Sequence, residues 1–79
     1  MNRPENWPEI KEGIMLIGLR AKFEQNEKLL EKLLGTGNRI LREHTPRDKY
    51  WGDGGLKNTG KNRLGVLLMQ VREEFRKQH

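Results

Sequence analysis

The sequence lacks cysteine, and apolar residues fill only 33% of its 79 positions. Without cysteine, neither a disulfide nor a thiolate metal site can hold a small domain together, and the composition fits a reducing cytoplasm, where we expect the protein to act. The longest apolar run, Ile14 to Ile17, has four residues, whereas a helix that spans a bilayer needs about 20. We therefore expect no membrane segment, and the N-terminus shows no signal-peptide pattern.

Acidic residues are fewer than basic ones: 11 Asp and Glu stand against 16 Lys and Arg, a net charge of +5. This excess permits an anionic partner, such as phosphate or nucleic acid. Because the two signs interleave along the chain, solvated helix faces explain most of the charge equally well. A chain of this length buries only about 60% of its unfolded surface, so it forms one small domain at most, or part of one.

Apolar residues recur at helical spacing in three segments. We predict a mostly α fold with helices near 7–24, 27–34 and 62–77, a short extended segment near 39–44 and a long ordered loop at 45–61. The clearest core stripe lies on the third helix: Leu64, Leu67, Leu68, Val71 and Phe75. Asparagine is a favourable N-cap, so we predict three capping residues: Asn6, Asn26 and Asn62. Gly35 fits the left-handed position that ends the second helix.

The first helix is apolar over more than half of its circumference. Ile10, Ile14 and Ile17 share one face, and further apolar residues widen it. A helix of this kind is expected to be buried on several sides. Gly13 and Gly18 each cost roughly 1 kcal/mol in a helix interior, so we expect another backbone to approach closely there.

The segment 48–62 has no period of its own. It holds four of the nine glycines, the only tyrosine, one of the two tryptophans and two acids. Loops of this length are uncommon unless they are functional or disordered. A disordered linker would not be expected to carry Tyr50-Trp51 beside carboxylates, so we predict an ordered functional loop.

Carboxylates and aromatic rings in and near this loop suggest a chemistry. Glu43, Asp48 and Asp53 lie within eleven positions of one another, and two carboxylates in unlike environments can divide the acid and base roles that break a glycosidic bond. Tyr50 and Trp51 offer flat faces for stacking on a base or a sugar.

Basic residues of the same segment could neutralise a phosphate, namely Lys57, Lys61 and Arg63. Backbone amides of the glycine-rich loop and of the third helix's first turn would assist them. The ligand expected from this set is a phosphorylated, nucleoside-like small molecule. His44 has no second histidine at ligand spacing, so we expect no metal; we also expect no cofactor.

Each of these residues also has a purely structural explanation. Asp48 can form an Asx turn ahead of Trp51. Asp53 and Gly54 are a common tight-turn pair, and Trp51 can fill the core beneath the loop. The Glu43 carboxylate and the lysines can be solvated surface groups. The pattern alone leaves both explanations open.

Three motifs carry a resemblance to a known family: Leu41-x-Glu43-x-Thr45-x-x-Asp48-x-Tyr50-Trp51-Gly52-Asp53-Gly54, Gly60-Lys61-Asn62-x-Leu64-Gly65-x-x-Leu68-Met69-x-x-Arg72, and Arg3-Pro4-x-x-Trp7. In this order they resemble the signature of the NADAR, or YbiA-like, N-glycosidases. Leu19-x-x-Lys22-Phe23-x-x-Asn26 and Leu33-Leu34-x-Thr36-Gly37 are similar to that family too. The resemblance covers nearly the whole chain.

The resemblance implies hydrolysis of an N-glycosidic bond. Family members are similar to enzymes that detach ribose phosphate from riboflavin-pathway intermediates, or ADP-ribose from modified guanine in nucleic acid. It implies three catalytic residues: Glu43, Asp48 and Trp51. With them we predict five substrate-binding residues: Tyr50, Lys61, Arg63 and, as loop supports, Asp53 and Asn62.

The resemblance also implies that residues 1–79 are the C-terminal portion of a single α+β domain. The family's N-terminal half would supply an acid and a lysine central to catalysis, and we expect it to be absent here. Two alternatives to an active enzyme therefore stay open. One is a non-catalytic module that binds nucleotide or nucleic acid, and the other is a half-domain that a second chain completes.

Overall fold

The computed structural model of the chain describes residues 6–44, 48–55 and 60–78. These residues form three helices, α1 (Trp7–Gln25), α2 (Glu27–Gly35) and α3 (Arg63–Gln78), and no strand. The predicted helices are confirmed to within one residue at each end. Lys57 and two parts of the predicted loop, 45–47 and 56–59, lie outside the described residues. No helix in the described ranges has the length and apolar character needed to cross a bilayer.

One core lies where the three helices meet, and each helix packs against the other two. Its buried members are Leu19 and Phe23 of α1, Leu30 and Leu33 of α2, and Leu67, Val71 and Phe75 of α3. The predicted α3 stripe is thereby confirmed, with Leu64 and Leu68 half-buried beside it. Leu41 and Trp51 pack against the edge of this core, which fixes the segments on either side of the gap at 45–47 onto the helices.

The first helix is less covered than its sequence predicted. Ile14 and Ile17 are 62% and 66% exposed, and Ile10 is 36% exposed. Within the described part of the chain, nothing lies within 4 Å of a Cβ built at Gly13 or Gly18. The prediction of burial on several sides is therefore wrong for these residues, because α2 and α3 cover only the opposite side of α1, at Leu19 and Phe23.

The helix ends agree only in part with the predicted caps. Asn26 is confirmed as the N-cap of α2, since its Oδ1 accepts the amide of Leu29 at 3.2 Å. Asn6 makes no side-chain cap to α1. Gly35 remains inside α2, and the left-handed residue is Gly37, with φ of 63°. The left-handed residue at the end of α2 is thus Gly37, two residues after the predicted Gly35.

The turn after α2 is attached to α3 by a buried cation. Arg72 is only 6% exposed, and its Nη1 donates to Thr36 Oγ1 and to the carbonyl of Arg39, both at 2.8 Å. A buried charge needs such partners to offset its lost hydration. The next residues, 39–44, contain no strand: Leu41 faces the core, whereas Ile40 is 73% exposed.

Candidate active site

The described parts of the loop are joined to the start of α3 by backbone hydrogen bonds. The amides of Arg63 and Leu64 donate to the carbonyls of Tyr50 and Trp51, at 2.9 and 3.0 Å. The first amides of a helix have no partner inside the helix, and here the loop supplies the acceptors. These two amides are therefore occupied, and they are not offered to a phosphate in this structure.

Asn62 directly precedes α3, and its side-chain amide supports residues 41–43. It has a left-handed backbone, with φ of 51°, which asparagine tolerates better than most residues. Its Oδ1 accepts the amide of Glu43 and its Nδ2 donates to the carbonyl of Leu41, both at 2.8 Å. A side-chain amide can satisfy a backbone donor and acceptor at once. The side-chain amide thus supports the loop, and the Asn62 carbonyl accepts the amide of Val66 at the start of α3, at 3.0 Å.

Two glycines allow the backbones around Asn62 to pack this closely. A Cβ built on Gly65 would meet the Leu41 carbonyl oxygen and would lie 2.5 and 2.6 Å from the Asn62 side-chain amide. One built on Gly60 would lie 2.6 Å from the carbonyl carbon of Asp53. The Gly-Lys-Asn-x-Leu-Gly motif therefore has a steric basis in the described structure.

Asp48 holds the aromatic pair in place. Its Oδ1 accepts the amides of Tyr50 and Trp51, at 3.0 and 2.8 Å, which is an Asx-type turn. The two rings meet edge to face, with centroids 4.9 Å apart and planes at 82°. Trp51 is half-buried against the core. The structural explanations of Asp48 and Trp51 are therefore real, and each residue keeps an exposed portion.

Asp53 organises a second turn. Its side chain is buried, with Oδ1 accepting the Gly55 amide at 2.8 Å and Oδ2 lying 3.0 Å from Nδ1 of His44. Its own amide donates to the carbonyl of Glu43 at 2.8 Å. The backbones of two predicted site residues are thus adjacent, while the Glu43 side chain is exposed. Asp53 supports the loop, as predicted.

A cluster that the sequence did not predict connects α1 to this loop. We call it the Glu12 cluster: Lys11, Glu12, Tyr50 and Arg63. Arg63 donates to both carboxylate oxygens of Glu12, at 2.8 and 2.6 Å, and the Tyr50 hydroxyl donates to the same carboxylate. The Lys11 ammonium lies 3.4 Å from the centroid of the Tyr50 ring. The available signal was a charged pair, Lys11-Glu12, that interrupts an apolar helix.

Hydrogen bonds within the Glu12 cluster shift the pKa values of its ionisable groups. The hydrogen bonds from Arg63, and then that from Tyr50, lower the pKa of the Glu12 carboxyl below its ordinary value. The same Glu12 hydrogen bond raises the pKa of the Tyr50 phenol and that of the Arg63 guanidinium. At neutral pH the cluster therefore holds an ionised carboxylate, a protonated phenol and a charged guanidinium.

Replacing Glu12 with glutamine should lower the free energy of unfolding by about 1 kcal/mol at pH 7, because the solvent-screened ion pair with Arg63 is lost. The lowered pKa means that this stabilisation is present above the unfolded carboxyl's pKa and disappears as pH falls from 4.5 through the folded pKa. Urea unfolding at pH 7 and at about pH 3 measures it. Glu24→Gln, exposed on the same helix, is the control. A difference in unfolding free energy between the unmutated chain and the Glu12→Gln variant that stays constant with pH would contradict the prediction.

Comparison with known proteins identifies the family. Residues 1–76 match the NADAR domain. The chain belongs to the NADAR domain family. This confirms the resemblance read from the loop and the α3 motifs.

Several NADAR relatives are close in sequence. The chain is 54% identical over 71 residues to N-glycosidase YbiA of Escherichia coli, covering 90% of this chain and 44% of that protein. It is 42% identical over 81 residues to an N-glycosidase of Acanthamoeba polyphaga mimivirus, covering 90% and 48%. A riboflavin biosynthesis protein of Vibrio vulnificus is 46% identical over 70 residues, covering 89% and 19%. The chain thus spans less than half the length of these relatives, and no solved structure matches it.

Proposed function

We propose that this NADAR chain forms part of an N-glycosidase active site that hydrolyses the bond between a phosphorylated ribosyl group and a heterocycle. The observation that carries the proposal is the 54% identity to an N-glycosidase over 90% of the chain. The geometry supports it, because the loop on α3 groups carboxylates, aromatic rings and cations. The cysteine-free sequence favours the cytoplasm as the place of action.

The proposed chemistry breaks the bond from the ribose C1′ to the nitrogen that joins it to the heterocycle. A water oxygen bonds to C1′, one water proton is released to a base, and the leaving nitrogen is protonated. The transition state carries positive charge on the sugar. We assign the carboxylates of Glu43, which is exposed, and Asp48, which is half-buried, to stabilising that charge and positioning the water. Trp51 is assigned to stacking on the heterocycle or sugar. Lys61 and Arg63 are assigned to the phosphate-binding side, with Tyr50 between them and Trp51.

Two substrates fit this description. One is a ribosylamine phosphate of riboflavin synthesis, and the other is guanine in nucleic acid that carries ADP-ribose. The name of the Vibrio relative, a riboflavin biosynthesis protein, favours the first. Both contain a heterocycle, a ribose and phosphate, so the same groups of the chain would serve either.

The test is turnover by the purified 79-residue chain. We expect release of ribose 5-phosphate from the riboflavin-pathway intermediate, measured by chromatography. DNA carrying ADP-ribosylated guanine is the second arm, with release of ADP-ribose as the readout. Each substrate is assayed with the chain alone and with the N-terminal portion of the Escherichia coli relative added. Absence of release in all four combinations would refute the enzyme assignment.

A second candidate is a half-domain that another polypeptide completes. The exposed face of Ile10, Ile14 and Ile17 on α1 favours it, since contiguous exposed apolar surface commonly marks an interaction site. Under this candidate, residues 39–44 would pair as an edge strand of an α+β domain, and Ile40 would be covered. Turnover that appears only after the N-terminal portion is added, and that is lost on Ile14→Glu, would favour it over an active single chain.

A further inference from the structure

Two ammonium groups lie beside one aromatic ring at the candidate site. The Lys11 Nζ is 3.4 Å from the Tyr50 ring centroid, and the Lys61 Nζ is 5.7 Å from it. Lys11 comes from α1 and Lys61 from the residues just before α3, so the fold brings the two charges together from distant parts of the sequence. Like charges repel, and such a pair is favourable when an anion lies between them.

The Tyr50 ring, which lies beside these two ammonium groups, is held in place. The Tyr50 hydroxyl donates to Glu12, and Arg63 fixes Glu12 with two hydrogen bonds. The amide of Arg63 in turn donates to the carbonyl of Tyr50 at 2.9 Å. Side chain and backbone are thus both anchored, which limits the freedom that a ligand would otherwise have to remove on binding.

The cations around the ring are not equally available. Arg63 is paired with Glu12 in a two-pronged salt bridge, and the pair is close to neutral as a unit. Lys11 and Lys61 make no salt bridge with any acid among residues 6–44, 48–55 and 60–78. These two lysines therefore bring positive charge to the site that no direct salt bridge among these residues neutralises.

We propose that Lys11 and Lys61 form the subsite that binds the phosphoryl group of the substrate, with Tyr50 as its floor. This rests on the proposed function and adds a residue of α1, Lys11, to the substrate contacts. Lysine ammonium groups bind phosphate as point charges with three donors each. Arg63 lies on the same phosphate-binding side, where it acts through Glu12 as the residue that positions Tyr50 and not as a direct phosphate ligand.

The position of the subsite suits a ribosyl phosphate. The Lys11 Nζ lies 5.9 Å from the centroid of the Trp51 ring, and the Tyr50 and Trp51 rings are in edge-to-face contact. A ligand stacked on Trp51 would thus extend its phosphate towards the lysines across Tyr50. A ribose monophosphate and the diphosphate of ADP-ribose share this chemistry, so the experiment must distinguish the two.

The experiment measures binding without turnover. Backbone amide NMR titrations of the whole chain with ribose 5-phosphate, ADP-ribose and unphosphorylated ribose give three dissociation constants. We expect ribose 5-phosphate to bind at least ten-fold more tightly than ribose, and Lys11→Gln and Lys61→Gln each to weaken it by about ten-fold, as expected for one lost charge-assisted hydrogen bond. Lys22→Gln, on the same helix as Lys11, should leave the constant unchanged.

The outcomes separate this inference from the proposed function. Equal constants for ribose and ribose 5-phosphate, or unchanged phosphate binding in both lysine variants, would overturn the subsite even if the chain proves to be an N-glycosidase. Phosphate binding that depends on both lysines would support it even if no turnover is found. A larger loss for ADP-ribose than for ribose 5-phosphate would support the subsite and identify the diphosphate as its ligand.

Discussion

Asp48→Asn is expected to lower turnover by about 100-fold or more while the fold stays intact. Asparagine keeps the side-chain oxygen that accepts the amides of Tyr50 and Trp51, so the Asx turn can persist. It lacks the negative charge that would stabilise a positively charged sugar, and loss of one group that stabilises transition-state charge costs about 100-fold to 1000-fold. Steady-state release of ribose phosphate or ADP-ribose measures the effect, in whichever arm of the turnover assay is active.

This substitution decides between the two explanations of Asp48. If the residue only forms the turn, the Asp48→Asn variant retains activity, and the assignment of Asp48 as catalytic is wrong. Asp48→Ala removes both the turn and the charge, so it must lose activity under either explanation, and it serves as the matched control. Circular dichroism spectra of the unmutated chain and of Asp48→Asn should be superimposable, which separates a chemical effect from a folding defect.

Gly65→Ala is expected to destabilise the protein by about 2 kcal/mol. The new Cβ would collide with the Leu41 carbonyl and the Asn62 amide, and forcing extra atoms into a close-packed region costs about 1–3 kcal/mol or more. The higher helix propensity of alanine returns only about 1 kcal/mol. For a small domain this is a large share of the total stability. Urea unfolding gives the value.

Gly18→Ala is the matched control, because it is also a helical glycine. Nothing described lies within 4 Å of its Cβ, so alanine should stabilise α1 by up to about 1 kcal/mol. Equal stabilisation by both substitutions would show that α3 and the 41–43 segment do not pack as described. Gly65→Ala should also disturb the amide resonance of Glu43, which Asn62 binds.

Local information was enough to predict the helices. The spacing of Leu67, Val71 and Phe75 identified the buried face of α3, and Asn26 identified the start of α2. These signals lie within one or two turns of the residues that they describe. Periodicity also marked α1 as apolar, but it carries no information on what covers each side, and Ile14 and Ile17 are exposed.

The parts of the candidate site that were missed depend on distant partners. Glu12 and Arg63 are 51 positions apart. The local signal, a charged Lys11-Glu12 pair on an apolar helix, does not indicate that partner. Asn62 was predicted as a helix cap because asparagine is a favourable residue directly before a helix. Its side-chain amide hydrogen-bonds to a segment about twenty residues earlier in the sequence. Sequence reasoning found the loop and its aromatic pair, and tertiary structure determines which cation meets which carboxylate.

The attachment of the loop to α3 has a consequence for how the site opens. The amides of Arg63 and Leu64 donate to the carbonyls of Tyr50 and Trp51, so any motion that lifts the aromatic pair also exposes the first turn of α3. Hydrogen exchange at these two amides then follows the same local unfolding event as the site itself. A ligand bound to the aromatic pair should slow their exchange, and the helix start becomes an internal reporter of site occupancy.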